Sequence, residues 1–379
     1  MRKSTRRTGL ALALVTLAGG AAGQEPVFPS FRGQPLPGWT GPVFKLRQDY
    51  PSSLPAAGSL PWKQHDFETQ PVAYLQSVLA YALEGNVEVD FQVEKNRVRD
   101  WYHAPWMHAG ENGREFVHGL TRERTSRARV LHPRQTSEFA NFAVSIYNAR
   151  GGFVIGTVWR DAEDPDPSAA RFPEGTVAVK LLFTTATVAQ VPYLRNAFRW
   201  RAHVNRENGA ARPIQTVRLL QVDVAVRDAR ADATTGWVFG TFVYDGNAPG
   251  ASSWDRMVPV GVMWGNDPSL TPDRFDDGER PRQSVVVNPT VGTALRLGWL
   301  GRLNGPVDNP RSSCLSCHAT AQLEARSPMV PPTSLSNDAK MRWFRNVRAG
   351  RPFDSGEQSL DYSLQLQTGI LRFRESRGR

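Results

Sequence analysis

Three stretches, residues 176–183, 217–226 and 236–244, are apolar, rich in β-branched and aromatic side chains, and bounded by turn residues. Their length is that of strands, and residues 257–264 make a fourth. Residues 142–148 and 153–159 flank Arg150-Gly151-Gly152, a pattern that predicts a hairpin. Short strands without the regular strand–helix alternation of a parallel sheet predict antiparallel pairing. The expected fold is therefore α+β, mainly β, with an antiparallel sandwich or barrel-like sheet. Upstream, residues 71–83 carry Val72, Leu75, Val78, Leu79, Tyr81 and Ala82 at mixed spacings of three and four. Pro71 opens this run and Gly85 follows it, which predicts an amphipathic helix. Residues 87–91 alternate as a short strand. Near the C-terminus, Met341, Phe344 and Val347 share one helical face, closed by Gly350 and Pro352, so a short helix is expected over 338–347.

The remaining stretches set the organisation. Arg2, Lys3, Arg6 and Arg7 precede an apolar run at 9–18 and the small residues Ala21-Ala22-Gly23. This is the pattern of a secretory signal peptide, with an apolar run too short to span a bilayer; a signal anchor is the alternative. The Arg6-Arg7 pair also fits a twin-arginine signal. No later stretch approaches ~18 uninterrupted apolar residues, so no membrane span is expected in the mature chain. Residues 24–61 are rich in Pro and Gly and read as an extended arm, and 267–288 read as a polar surface insertion. The expected division is a signal peptide at 1–23, a mixed α/β segment at 24–136, a β-rich domain at 137–325, and a C-terminal tail with a short helix at 326–379.

Charge changes this picture little. The chain has a formal charge of +10, and loss of residues 1–23 removes four of its positive charges, leaving +6. Such a chain steers towards acidic partners. No Lys/Arg-rich run lies beside a stacking platform, so nucleic acid is not an expected partner.

The cysteines change it a great deal. The chain has 2, and both stand in Cys314-Leu315-Ser316-Cys317-His318. C-x-x-C-H is the attachment pattern of c-type haem: two thiols add to two vinyl groups, and the adjacent imidazole ligates the iron. Cys314 and Cys317 are thus the expected anchors of one covalently bound haem c, and His318 its axial ligand. A structural zinc site would need about four ligands. A redox C-x-x-C would be expected in a βαβ unit. A plain disulfide in an exported chain is the remaining alternative. The dense His and Trp stretch over 101–118 offers either a further metal ligand or packed anchors. Met329 and Met341 are downstream methionines that either ligate or pack. Arg122, Arg124, Arg127 and Arg129 suit haem propionates or form a solvated basic face.

Lys180 is the last candidate. It stands within an apolar strand, on the face shared by Ala178 and Leu182, in a chain with 6 Lys against 40 Arg. A buried amine is costly unless paired or chemically used, and one with a lowered pKa is a nucleophile. The alternative is a lysine reaching past the strand edge to water.

The run Gly175 to Lys180, then Val222 to Asp228, then Trp237 to Asp245, followed by a late C-x-x-C-H, resembles the cytochrome P-four-sixty family and its relatives, the beta-sheet cytochromes c-prime. The resemblance covers roughly residues 142–318. It implies a small β fold holding one c-type haem, usually five-coordinate, with the motif histidine as sole protein ligand. In enzymatic members a strand lysine is cross-linked to the haem and hydroxylamine is oxidised; others bind nitric oxide. Lys180 is the positional counterpart of that lysine, the candidate catalytic residue. Leu181 stands where many relatives carry an acid, and the N-terminal segment and the 61 residues after His318 have no counterpart.

The expected function is a periplasmic monohaem c-type cytochrome that exchanges electrons with periplasmic redox partner proteins. Two alternatives follow from the resemblance: oxidation of hydroxylamine or a similar small nitrogen compound with a Lys180-modified haem, or nitric oxide binding at a five-coordinate haem. An enzyme of this kind would be a haem oxidoreductase.

Overall fold

The computed structural model describes residue 28 and residues 39–107, 114–115, 117–203, 214–289 and 297–378. The signal-like residues 1–23 and His108 lie outside them.

The apolar runs pair as the periodicity predicts. Strands β1 (Trp101–Tyr102), β2 (Thr121–Arg122), β3 (Asn141–Asn148), β4 (Val177–Thr184), β5 (Arg199–His203), β6 (Ile214–Arg227), β7 (Trp237–Tyr244), β8 (Met257–Met263) and β9 (Ser284–Val286) form one sheet. Its order is β1-β3-β4-β6-β7-β8-β9, with β2 on β3 and β5 on β6, and these pairings are antiparallel. The chain adopts the α+β, mainly β, sandwich-like fold that its pattern predicts. Among the described residues no helix is long and apolar enough to cross a membrane.

Strand alternation gives the sheet two unlike faces. Val179, Val224 and Gly240 lie across from one another on one face. Helix α1 (Pro71–Leu83) covers it, with Tyr74, Leu75, Val78, Leu79, Tyr81 and Ala82 buried, as its spacing predicts. A Cβ on Gly240 would overlap Leu75 Cδ2, so helix and strand meet at closest approach there. Gly240→Ala is expected to cost about 1–3 kcal/mol by overpacking, measured as a fall in the denaturation midpoint. The other face carries Ser145, Lys180, Asp223 and Thr241 in register across four strands.

Four expectations are corrected. Residues 149–158 are not the second half of a hairpin but helix α2 (Ala149–Val158), which the Asn148 side chain caps by accepting from Gly151 N at 3.2 Å. Gly151 and Gly152 serve close approach: a Cβ at 151 would lie 2.9 Å from Tyr147 Cβ, and one at 152 would overlap the Tyr102 ring. Residues 87–91 form turns, with Asp90 and Phe91 left-handed at φ +52° and +55°. The 267–288 stretch contains helix α3 (Pro272–Asp276) and strand β9, which extends the sheet. The 338–347 helix is split into α5 (Asn337–Lys340) and a single 3₁₀ turn at Met341–Phe344.

Helix α4 (Cys314–His318), strands β10 (Gln322–Leu323) and β11 (Gln358–Ser359), and helix α6 (Leu364–Ser376) complete the chain. α6 is the longest element of the C-terminal tail. The 24–136 segment is not set apart from the β-rich region, because β1 and β2 pair with β3.

Candidate functional site

The C-x-x-C-H stretch is a one-turn helix because serines stand at both positions that need them. Ser313 Oγ accepts from Ser316 N at 3.0 Å and Ser316 Oγ accepts from Ser313 N at 2.8 Å, a reciprocal capping box. The Ser313 hydroxyl also donates to Asn266 Oδ1 at 2.8 Å, tying the helix start to the loop after β8. Leu315 and Ser316 are buried, whereas Cys314, Cys317 and His318 are each half-buried. Positions i, i+3 and i+4 share one helical face, so both thiols and the imidazole project together.

α4 lies along the polar face of β7. Cys314 Sγ is 3.9 Å from Thr241 Oγ1 and 3.9 Å from Asn304 Oδ1, and the His318 ring centroid is 4.8 Å from that of Phe239. Both thiols are unpaired. Burial pushes the Cys317 thiol up to about 12, with Asp308 adding to it, and holds Cys314 well above its ordinary value. Burial pulls His318 down to about 4, against the opposing hydrogen bond to Tyr362. Near neutral pH its imidazole is therefore uncharged, the form that ligates iron. His318 Nδ1 lies 2.9 Å from the Tyr362 carbonyl. A carbonyl only accepts, so Nδ1 carries the proton and Nε2 keeps a free lone pair.

These features fit a c-type haem. Two unpaired thiols and a metal-ready nitrogen share one half-exposed face, and the nitrogen's tautomer is set by a backbone partner behind it. Among the described residues no group of three or more His, Cys, Asp or Glu side chains is placed to hold a metal ion.

Lys180 is brought to the same sheet face, and it is paired. Its Nζ lies 3.0 Å from Glu123 Oε2. Burial alone lowers its pKa, but Glu123, Asp308 and Asp223 together outweigh that and raise it above the ordinary lysine value. The carboxylates thus favour Lys180 as an ammonium, whereas a nucleophilic amine would need a lowered pKa. Asp223, across from Lys180 in register, is pushed up to about 7, by burial first and Asp308 next, against Lys180. Gln221 Nε2 donates to both Asp223 oxygens at 2.8 Å and to Asp308 Oδ2 at 3.2 Å, and the Thr241 hydroxyl donates to Asp223 Oδ1 at 2.9 Å. Gly305 N holds Asp308 Oδ2 at 2.8 Å. A chain of polar side chains thus runs from Glu123 to Cys314.

A testable consequence concerns pH. The folded form holds the Asp223 proton more tightly than the unfolded form. Wild-type stability from this group therefore falls as pH rises from the ordinary carboxyl range through about 7. Asp223→Asn removes that loss and should gain about 2 kcal/mol relative to wild type between pH 5 and pH 8. Glu115, pushed up to about 7 by burial, contributes with the same sign, and His118, pulled down to about 4 by burial, with the opposite one. The variant-minus-wild-type difference in denaturation midpoint cancels both.

Comparison with family models, curated proteins and solved structures returned no match.

His118 stacks on Trp200 with centroids 4.3 Å apart, and its Nε2 pairs with the Arg201 carbonyl at 3.1 Å. His103 is buried edge-on to Phe44, its Nδ1 accepting from Arg47 N at 3.1 Å. These two histidines, with Trp101 and Trp106, are packed anchors. Met329 is 51% exposed and Met341 packs against the core. Arg124 donates to the carbonyls of Val307 and Asp308, 3.3 and 3.1 Å away, fixing the loop ahead of α4.

Sequence reading missed Glu123, Asp223, Asp308 and Tyr362. Asp223 carried a usable signal, an acid between Val222 and Val224 within a strand, the same anomaly that singles out Lys180. Glu123 had none: it reaches Lys180 only because its backbone N–H bonds Asn141 O at 2.8 Å beside β3.

Proposed function

We propose that this chain is an exported, periplasmic monohaem c-type cytochrome with a redox role, related to the cytochrome P-four-sixty family. Cys314 and Cys317 would hold the haem through thioethers, and His318 Nε2 would ligate the iron. The observation that carries the reading is the shared face of α4, with two unpaired thiols and an uncharged imidazole whose Nδ1 is already engaged. A bound haem would supply one-electron chemistry at its iron. The chain's own contribution is to fix the ligand's tautomer, bury one side of the motif, and set a charged row beside it. Its residual positive charge would steer it to acidic redox partners.

A second reading is favoured by one observation, the Glu123–Lys180–Asp223 row. An ammonium held by Glu123 and a carboxyl pushed up to about 7 are groups that keep or release protons near neutral pH. This is what oxidation of hydroxylamine or a similar small nitrogen compound would use. An open iron beside the same row would instead capture nitric oxide.

Mass and ferrous spectrum of the exported, matured chain test these readings. A mass gain of one haem with sharp α and β bands supports the electron carrier. A broad, red-shifted Soret band with a haem peptide linked to Lys180 supports the oxidase, and a high-spin spectrum without that link supports gas binding. A chain weighing only its amino acids, with no Soret band, sinks all three.

A further inference from the structure

One carbonyl stands behind His318, and it belongs to a corner that the backbone would not choose unaided. Asp361 and Tyr362 are consecutive non-glycine residues at φ +48° and +68°, the left-handed region that Cβ-bearing residues avoid. The surroundings impose it. The Asp361 carboxylate, 3% exposed, accepts from Phe172 N at 2.7 Å through Oδ2. Through Oδ1 it accepts from the Trp237 indole Nε1 and from Gly350 N, each at 3.1 Å. Its own N–H donates to Ser359 Oγ at 3.1 Å, and the Tyr362 hydroxyl donates to the Val347 carbonyl. One carboxylate thus ties the coil before β4, the first residue of β7 and the coil after α5 to the corner that carries the Tyr362 carbonyl.

We propose that Asp361 is a positioning residue for His318: by locking this corner it aims the Tyr362 carbonyl at Nδ1, and so sets the tautomer, ring orientation and basicity of the ligand. The inference rests on the haem reading only for what Nε2 then binds. The physical reason is that a ligating imidazole donates more strongly when its other N–H has a well-placed acceptor, and a stronger donor favours the oxidised metal. Asp361 itself touches neither His318 nor the thiols; it acts through the backbone it fixes.

The test is made on the full, exported chain. Asp361→Asn keeps the side chain's shape but replaces one acceptor oxygen with an amide NH₂ facing N–H donors. The variant should still carry its haem, with the midpoint potential shifted upward and the His318 Nδ1–H exchanging with solvent several-fold faster by NMR. Trp237→Phe removes one of the three donors and should move both readouts the same way by less; it also serves if the asparagine variant does not fold. Gly240→Ala, which strains the opposite face, should lower the melting temperature and leave both readouts alone. If Asp361→Asn behaves like Gly240→Ala, losing stability with potential and exchange unchanged, Asp361 only packs and the proposal is overturned. If wild type carries no haem, the haem reading fails, and nitrogen NMR of His318 in the haem-free chain decides this proposal instead. An Nδ1–H tautomer in wild type that becomes mixed in Asp361→Asn upholds it, and an unchanged tautomer overturns it.

Discussion

Exported with Cys314 and Cys317 both changed to alanine, the chain should retain no haem after unfolding, an all-or-none loss against wild type. The thiols are the only two in the sequence, and α4 places both on the half-exposed face with His318. Without them the imidazole alone would hold iron by a reversible bond that denaturation releases. Each single variant should keep one thioether and a haem signal that survives unfolding, with a shifted α band. The measurement is haem-stained denaturing electrophoresis with intact mass. A double variant as heavily loaded as wild type would move the attachment site elsewhere. Folding of the haem-free chain is expected to persist, because the core lies mainly on the sheet and under α1 rather than under α4.

Lys180→Met should cost about 3 kcal/mol at pH 8, seen as a fall of roughly 5 °C in Tm. The methionine fills a similar volume, so the loss is electrostatic. It leaves Glu123, Asp223 and Asp308 facing one another without their shared cation. The sign of its pH dependence follows from Asp223, which burial and Asp308 push up to about 7. At pH 5 that carboxyl is protonated, fewer negative charges go uncompensated, and the variant should recover part of its stability. Denaturation at the two pH values measures this. An equal loss at both would mean that Lys180 contributes through packing alone.

Much of the fold was legible because burial imposes a period on the sequence. α1, β4, β6, β7 and β8 fall where apolar spacing places them, each with one or both faces against the core. The exceptions share a cause. At Arg150-Gly151-Gly152 the glycines resembled a turn, yet they are small so that α2 can press on Tyr147 and Tyr102, a contact no local pattern encodes. The Asn148 cap and the spacing of Val154, Ile155 and Val158 were the better guides. At 87–91 the alternation was real but the chain turns, and Asp90 accepts from the Trp200 indole at 2.8 Å across 110 residues. The site divides in the same way. Cys314, Cys317 and His318 are contiguous and could be read directly. Glu123, Asp308 and Tyr362 reach it through partners 57, 87 and 44 residues away in sequence, which only the completed sheet brings near.

The contacts between residues 101–107 and α6 have a temporal consequence. Arg372 donates to the Met107 carbonyl at 2.7 Å, Trp106 and Phe373 meet ring to ring at 5.1 Å, and Gln367 holds the carbonyls of Thr320 and Gln322 just past α4. In a chain exported amino end first, as proposed, α6 would emerge after residues 314–318, so these ties would close only then. Until then the thiols would stand on an unfinished scaffold, open to haem attachment. On the proposed reading, that order of emergence would leave an interval for haem attachment, which the docking of α6 would close.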